Sequence, residues 1–498
     1  MAPGPGSITR TMGLGKAQPA VTAAPAWTPE ELEGFAGELS DALVKTHLRR
    51  DASAFKGMLY EYAMPATGQQ GYGRAWDGLR NGAWLGSAAI LAYRANRGKV
   101  YLDLARQWIL PFYLRVLAGS DKLFPLRDKA FSDGTPIPPD RAGPARGFVP
   151  LWWDDGTGVS FDALAERRTL DELLGPDQGY TNLLRLRSAR DGKVAGYSHG
   201  TSEGITDTLA LFLANTWLVT RDPQLAGGVR LLRACRKKEL AGDPPLLALA
   251  EAVVSGDSAK ATALAAPLNR APSTPDTPLY RAVVARQRVE LPVSLEPLLR
   301  GYLAAAAANS VGPGLARRLS LYTWETLALA DRWYGAAKRQ EGLMPAYQGA
   351  LSPRWEAGRP RSLAGSSPQT LVGPRAGAEA LLACALSLQL LTAFPEAWPE
   401  GRTPRTAERQ VPPRAAAIAR LKRELDKGLL YWRERLKRDG FLPADWPVGG
   451  RKPSPSYWGD QTSAAGAYVF LLAACAEYQV FLSGKRDWEL AATTWVGK

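Results

Sequence analysis

Between Gly196 and Asp207 the chain reads Gly-Tyr-Ser-His-Gly-Thr-Ser-Glu-Gly-Ile-Thr-Asp, which sets a tyrosine, a histidine and two carboxylates on a frame of glycines. A neutral histidine can take a proton near neutral pH, and a tyrosine held among cations can serve as base or acid. His199 and Tyr197 are therefore candidate acid–base groups, with Glu203 and Asp207 as candidate carboxylates. Gly200 and Gly204 would let backbone and ligand approach closely. His199 is one of only two histidines, and the other, His47, falls on an ordinary amphipathic helix. The plainer reading is a helix cap, with Thr201 or Ser202 capping and Glu203 favoured by the helix dipole. A cap does not call for Tyr, His and Asp together, so the chemical reading is preferred.

A second regularity is aromatic residues beside carboxylates. It occurs at Trp76-Asp77, in Tyr322-Thr323-Trp324-Glu325, in Tyr457-Trp458-Gly459-Asp460 and in Trp152-Trp153-Asp154-Asp155. Three of these stand just ahead of apolar helices, and the fourth lies in a long loop before residue 160. Aromatic faces stack on sugar rings, and carboxylates bond hydroxyls or do acid–base work. For any one of them, loop packing and a positive helix end explain as much. The recurrence favours a binding cleft lined by Trp76, Asp77, Trp153, Asp154, Trp324, Glu325, Tyr457, Trp458 and Asp460.

The elements that must position these residues are helical. Thr28-Pro29-Glu30-Glu31 is a helix start with a capping hydroxyl and Pro at the first position, followed by a stripe of Leu32, Phe35, Leu39 and Leu43. Residues 51–82 read as irregular. Then an all-round apolar helix, Ala83 to Arg94, precedes an amphipathic one, Val100 to Leu117. The pairing recurs at 204–220 with 224–240, at Ser320–Arg339, at Ala376–Phe394 with Ala415–Arg438, and at Thr462–Leu482. Its period is loose, roughly 60 to 120 residues, unlike the tight repeat of a solenoid. Period-2 runs are nearly absent, so an all-α chain is expected. Residues 241–316 read as short Ala/Leu-rich connecting helices, and residues 1–27 as a disordered Pro/Gly/Ala tail before a single domain over 28–498.

Composition sets the outer bounds. The chain has 498 residues, 46% hydrophobic, with 16 Trp, and carries a net charge of +14. The basic excess favours an anionic partner. It lies mostly on expected outer helix faces with no recognised nucleic-acid motif, so nucleic acid is not the expected partner. The three cysteines, Cys235, Cys384 and Cys475, sit in apolar helical runs and read as small buried hydrophobes. The apolar run 464–482 reads as a core helix, no membrane span is expected, and a soluble protein follows. The opening Met-Ala-Pro-Gly-Pro-Gly-Ser is expected to begin a mature, secreted or periplasmic chain, with cytoplasmic residence as the alternative.

Buried helices ringed by amphipathic ones resemble the (α/α) toroid of carbohydrate-active enzymes, the polysaccharide lyases and glycoside hydrolases. The resemblance spans most of residues 28–495 and rests on architecture. It implies about 5–6 helix pairs and a cleft where the buried helices begin. For a lyase it implies β-elimination in a uronic-acid polymer, with His199 and Tyr197 as acid–base groups and Arg80 or Asn81 on the substrate carboxylate. For a hydrolase it implies a carboxylate pair. Ser202-Glu203-Gly204 is similar to the Ser-Glu-Gly of family 8 glycoside hydrolases, where that glutamate is the general acid. Here the tripeptide stands far from the chain start, and Ile205-Thr206-Asp207 replaces the family's Gly/Tyr continuation. Asp460, Asp77 or Asp154 would then be the base. The lyase reading leads, and a non-catalytic glycan-binding scaffold is the third. No catalytic metal or organic cofactor is expected, with an oxygen-ligand calcium in the Asp-rich loops left open.

Overall fold

The computed structural model describes residues 27–50, 52, 56–60, 62–65, 69–71, 75–96, 98–118, 203–239, 245–270, 279–284, 287–292, 295–334, 339–344, 371–402, 410–443, 446–447 and 463–484. In chain order the helices among these are α1 (Pro29–Thr46), α2 (Ala75–Asn96), α3 (Lys99–Asp103) and α4 (Leu110–Ala118). They continue with α5 (Glu203–Thr220), α6 (Pro223–Glu239), α7 (Pro245–Val254), α8 (Ser258–Ala265) and α9 (Glu296–Ala307). The last are α10 (Pro313–Tyr334), α11 (Pro374–Ala393), α12 (Arg414–Asp439) and α13 (Ala465–Ser483). A π-helical segment, Leu104–Ile109, joins α3 to α4. The chain is all-α, and among the described residues the strands form one short three-stranded sheet and three short pairs.

Local chemistry sets the helix ends. In α1 the Thr28 hydroxyl accepts from the Glu31 amide at 3.2 Å, and the Glu31 carboxylate accepts from the Thr28 amide at 2.9 Å, a complete capping box. Pro occupies the first turn of α1, α9 and α11, where its missing N–H costs nothing. Gly440 and Gly484 close α12 and α13 in the left-handed conformation, with φ of 75° and 66°.

Helices α11 and α13 are buried on all sides, from Ala376 to Leu391 and from Ala465 to Val480. Both are long and apolar enough to cross a membrane by length and composition, and 89% of each apolar window is buried within the protein. Each fully buried Leu or Phe in them contributes ~1.5–3 kcal/mol relative to exposure. Cys384 and Cys475 lie wholly inside these helices, and burial pushes both thiols well above their ordinary range.

Neighbouring buried helices run parallel. Between α2 and α5, Ser87 Oγ donates to the Thr208 carbonyl at 3.4 Å and Arg94 to Asn215 at 2.8 Å, a constant offset of 121 positions. Between α11 and α13, Arg375 lies against Gly466 and, further along, Gln389 donates to the Glu477 carbonyl at 2.7 Å. By contrast α12 runs antiparallel to α11, with Arg414 at Leu391, Gly428 at Leu381 and Trp432 at Gly377. Packing passes from α2 to α5, from α5 to α7 and α9, from α9 to α10, from α10 to α11, from α11 to α13, and from α13 back to α2.

Two small sheets brace the entries to α11 and α13. Strand β1 (Tyr62–Met64) pairs antiparallel with β2 (Gln69–Gly71) and with β9 (Ser463–Ala464), which leads straight into α13. Strand β5 (Leu371–Val372), before α11, pairs with β8 (Trp446–Pro447). The hairpin of β3 (Leu279–Val284) and β4 (Gln287–Pro292) falls where short connecting helices are expected, as does α9, which packs on α5. The remaining pair is β6 (Gly401–Arg402) with β7 (Gln410–Val411).

Candidate functional site

The N-terminal ends of the buried helices gather charge and aromatic surface. Glu296, the first residue of α9, is buried, and its carboxylate accepts from Arg375 Nη2 at 3.1 Å. Arg375 is the second residue of α11, and its guanidinium stands 5.7 Å over the Phe470 ring of α13. A Cβ at Gly466 would fall 2.9 Å from Arg375 Cδ, so glycine there makes room for the arginine stem. Phe470 in turn packs on Trp84 of α2, with ring centroids 5.5 Å apart. Trp84 is buried, and its indole N–H has no hydrogen-bond partner among the described residues. These contacts link the leading halves of α9, α11, α13 and α2.

The electrostatics of this cluster are unusual. The positive end of a helix favours anions, so Glu296 is well placed, whereas Arg375 sits against the dipole of its own helix. A cation that opposes local preference and is mostly withdrawn from water is held by its neighbours, and such violations concentrate at functional sites. Fully buried Glu379 lies one turn beyond Arg375 on α11. The arrangement is a mostly buried Glu296–Arg375 ion pair laid on the buried ring of Phe470. Among the described residues no group of three or more His, Cys, Asp or Glu side chains forms a metal site.

Several expected site residues fall on these same helix ends. Helix α2 begins at Ala75 rather than Ala83, so Trp76, Asp77 and Arg80 lie in its first turns; only the backbone of these three is described. Asn81, next along, is fully buried. Glu203 is the first residue of α5, with its side chain outside the described residues, and Asp207, one turn on, is half-buried. The α2–α5 offset of 121 sets Glu203 level with position 82, so these two candidate groups share one end of a parallel pair. His199, Tyr197, Trp153, Asp154, Tyr457, Trp458 and Asp460 lie outside the described residues.

Trp324 and Glu325 need correction. They lie in the middle of α10, not ahead of a buried helix, because Pro313 starts that helix earlier than the apolar pattern indicated. Trp324 packs edge-on against Trp398 at 6.4 Å, and Trp398 donates to the Pro412 carbonyl at 2.8 Å, past the C-terminal end of α11. With 20 residues, α11 is about 30 Å long, which separates Trp324 from Arg375 by most of the helix. Half-buried Trp324 thus stands toward the other end of α11 from Arg375, and Glu325, next in sequence, is buried.

Sequence reasoning missed Glu296, Arg375 and the surroundings of His47. The signal for the first two was present in Glu296-Pro297 and Pro374-Arg375, charges adjoining helix-start prolines. His47 is not an ordinary helix residue. It ends α1, is fully buried, and bonds the Tyr60 carbonyl through Nδ1 at 2.9 Å and Ser463 Oγ through Nε2 at 2.8 Å. A carbonyl only accepts, so Nδ1 carries the proton and Nε2 accepts from the serine. Ser463 lies 3.2 Å from the Tyr468 hydroxyl, which accepts from the Leu442 amide at 2.8 Å. This is a Ser–His pair with no solvent access, a structural tie between α1, β9 and α13.

Burial lowers the His47 pKa from 6.5 to about 4, the Tyr60 carbonyl opposing it. The unfolded chain therefore binds the extra proton, and stability from this group is full above about pH 6.5 and is lost as pH falls to about 4. The difference is worth roughly 3 kcal/mol. Urea unfolding of the wild type should weaken more steeply over this window than that of His47→Gln. Parallel pH profiles for the two proteins would contradict it.

Compared with protein-family models, curated proteins and solved structures, the chain finds no match.

Proposed function

We propose that this protein is an (α/α) toroid that cleaves a uronic-acid-containing polysaccharide by β-elimination. The return of helix packing from α13 to α2, with parallel buried helices and an antiparallel outer partner, supports the toroid. The observation that carries the activity is Arg375, fixed by Glu296 over Phe470 where these helices begin. In the proposed reaction Arg375, with Arg80, offsets the charge of the substrate carboxylate and so acidifies the C5 proton. His199 takes that proton, the C5 electron pair forms the C4=C5 double bond, and the C4–O4 bond breaks toward oxygen. Tyr197 protonates the leaving oxygen. The proposal includes a secreted or periplasmic place of action, where such polymers occur, and no resident cofactor.

The test is a panel of acidic and neutral polysaccharides assayed together for unsaturated product, by ultraviolet absorbance, and for reducing ends. At least one polyuronate should yield the unsaturated product. Arg375→Gln should lower kcat/KM on it by about 10- to 100-fold, the worth of a charge-assisted bond. New reducing ends without the absorbance would replace elimination by hydrolysis, with Glu203 as acid and Asp77, Asp154 or Asp460 as base. Neither product from any polymer, with binding retained, would leave a glycan-binding scaffold.

A further inference from the structure

A groove of about 450 Å³ opens between α1 and the α3–π segment, lined by residues that do not include Arg375. Its volume is in the range of small-ligand sites, ~300–1,000 Å³. Val44, Leu104 and Trp108 supply its apolar wall. Asp41 and Lys45 from α1, Arg50, and Asp103 supply the charged lining.

The groove is preorganised by an uncommon piece of backbone. The amide of Leu110 donates to the Ala105 carbonyl, the five-residue spacing of a π-helix, a rare form frequent at functional sites. This extra residue in the turn carries Trp108. The loop at Lys56-Gly57 is fastened over it: Arg115 donates to the Lys56 carbonyl, and Lys56 Nζ stands 5.7 Å over the Trp108 ring. Gly57 has φ of 87°, and a Cβ there would strike the Trp108 carbonyl at 2.1 Å, so only glycine fits. The tryptophan is thereby fixed in a groove lined by two acids and two bases, with Lys56 over the ring as a third cation.

We infer that this groove is a second ligand site, which takes a neutral saccharide unit stacked on Trp108. A polyanion would meet Asp41 and Asp103, and an alkyl chain would strip water from four charges without replacing it. A sugar ring brings an apolar face for the indole and hydroxyls that both donate to the carboxylates and accept from Lys45 and Arg50. The inference does not depend on any activity at the helix ends.

Affinity electrophoresis of the full chain through gels containing soluble β-glucan, xylan, galactomannan or a polyuronate tests it. At least one neutral polymer should retard the wild type. Trp108→Ala, and separately the double variant Asp41→Asn/Asp103→Asn, should weaken retardation about tenfold or more, the loss of one or more bonds to charged groups. Arg375→Gln should leave it unchanged. Should Trp108→Ala fail to fold, the double variant decides, since it alters only charge at groove-facing positions. The inference is overturned if no neutral polymer retards the wild type, if the double variant binds as the wild type does, or if retardation is lost in Arg375→Gln instead.

Discussion

Replacing His199 with alanine is expected to lower turnover of the polyuronate by about 100- to 10,000-fold, the usual contribution of a positioned acid–base group. Of the two histidines in the chain, His47 cannot take this role. Both of its ring nitrogens are engaged, it is fully buried, and its pKa of about 4 makes it a poor base near neutrality. That leaves His199 as the one imidazole for the proposed proton transfer. The far-ultraviolet spectrum and thermal midpoint of the variant should match the wild type, so that the loss is chemical. Glu203→Gln should retain elimination. Activity that survives in His199→Ala and vanishes in Glu203→Gln would transfer the chemistry to the carboxylate pair.

The largest expected effect on stability lies at Glu424. Arg339 donates to both its oxygens at 2.6 Å, the Gly342 amide adds a third bond at 2.7 Å, and both side chains are only 3% exposed. Burial by itself would lower the arginine's pKa, but the carboxylate of Glu424, helped by half-exposed Asp331 at 2.9 Å from Nε, outweighs it and raises the value. Removing one partner leaves a buried charge, at a cost of ~3–5 kcal/mol. Against a total stability of about 5–15 kcal/mol, that is a large fraction. Glu424→Leu should therefore unfold at much lower urea, whereas Arg339→Met/Glu424→Leu should recover part of the loss because no charge is stranded. A single variant within about 1 kcal/mol of the wild type would show the pair to be dispensable. Close beside it, Gly342 has φ of 83°, and a Cβ there would lie 2.6 Å from Gly428 Cα, so Gly342→Ala should be destabilising through the same loop.

Much of the helical framework was legible along the chain. The capping hydroxyl at Thr28, the all-round apolar runs that become α5, α11 and α13, and the amphipathic run of α12 are local patterns, and local patterns survive into the fold. The misreadings share one cause. Helix α10 begins at Pro313 and α2 at Ala75, ahead of the apolar periodicity that alone marked their starts along the chain. The β3–β4 hairpin was written in the alternation Arg288, Val289, Glu290, Leu291 but lay among Ala-rich helices that dominated the reading.

The sequence by itself determined that the chain is helical, which helices are buried and where several of them start, because hydrophobic periodicity and capping act over a few residues. Tertiary structure alone decided which helix ends meet. Arg375 and Glu296 are 79 positions apart, and nothing local joins them. Only the parallel packing of buried helices brings the pair to one end, and only the antiparallel course of α12 sends Arg414 to the other. Direction of packing is a property of the assembled core, since a helix buried on every side carries no stripe to name its neighbour.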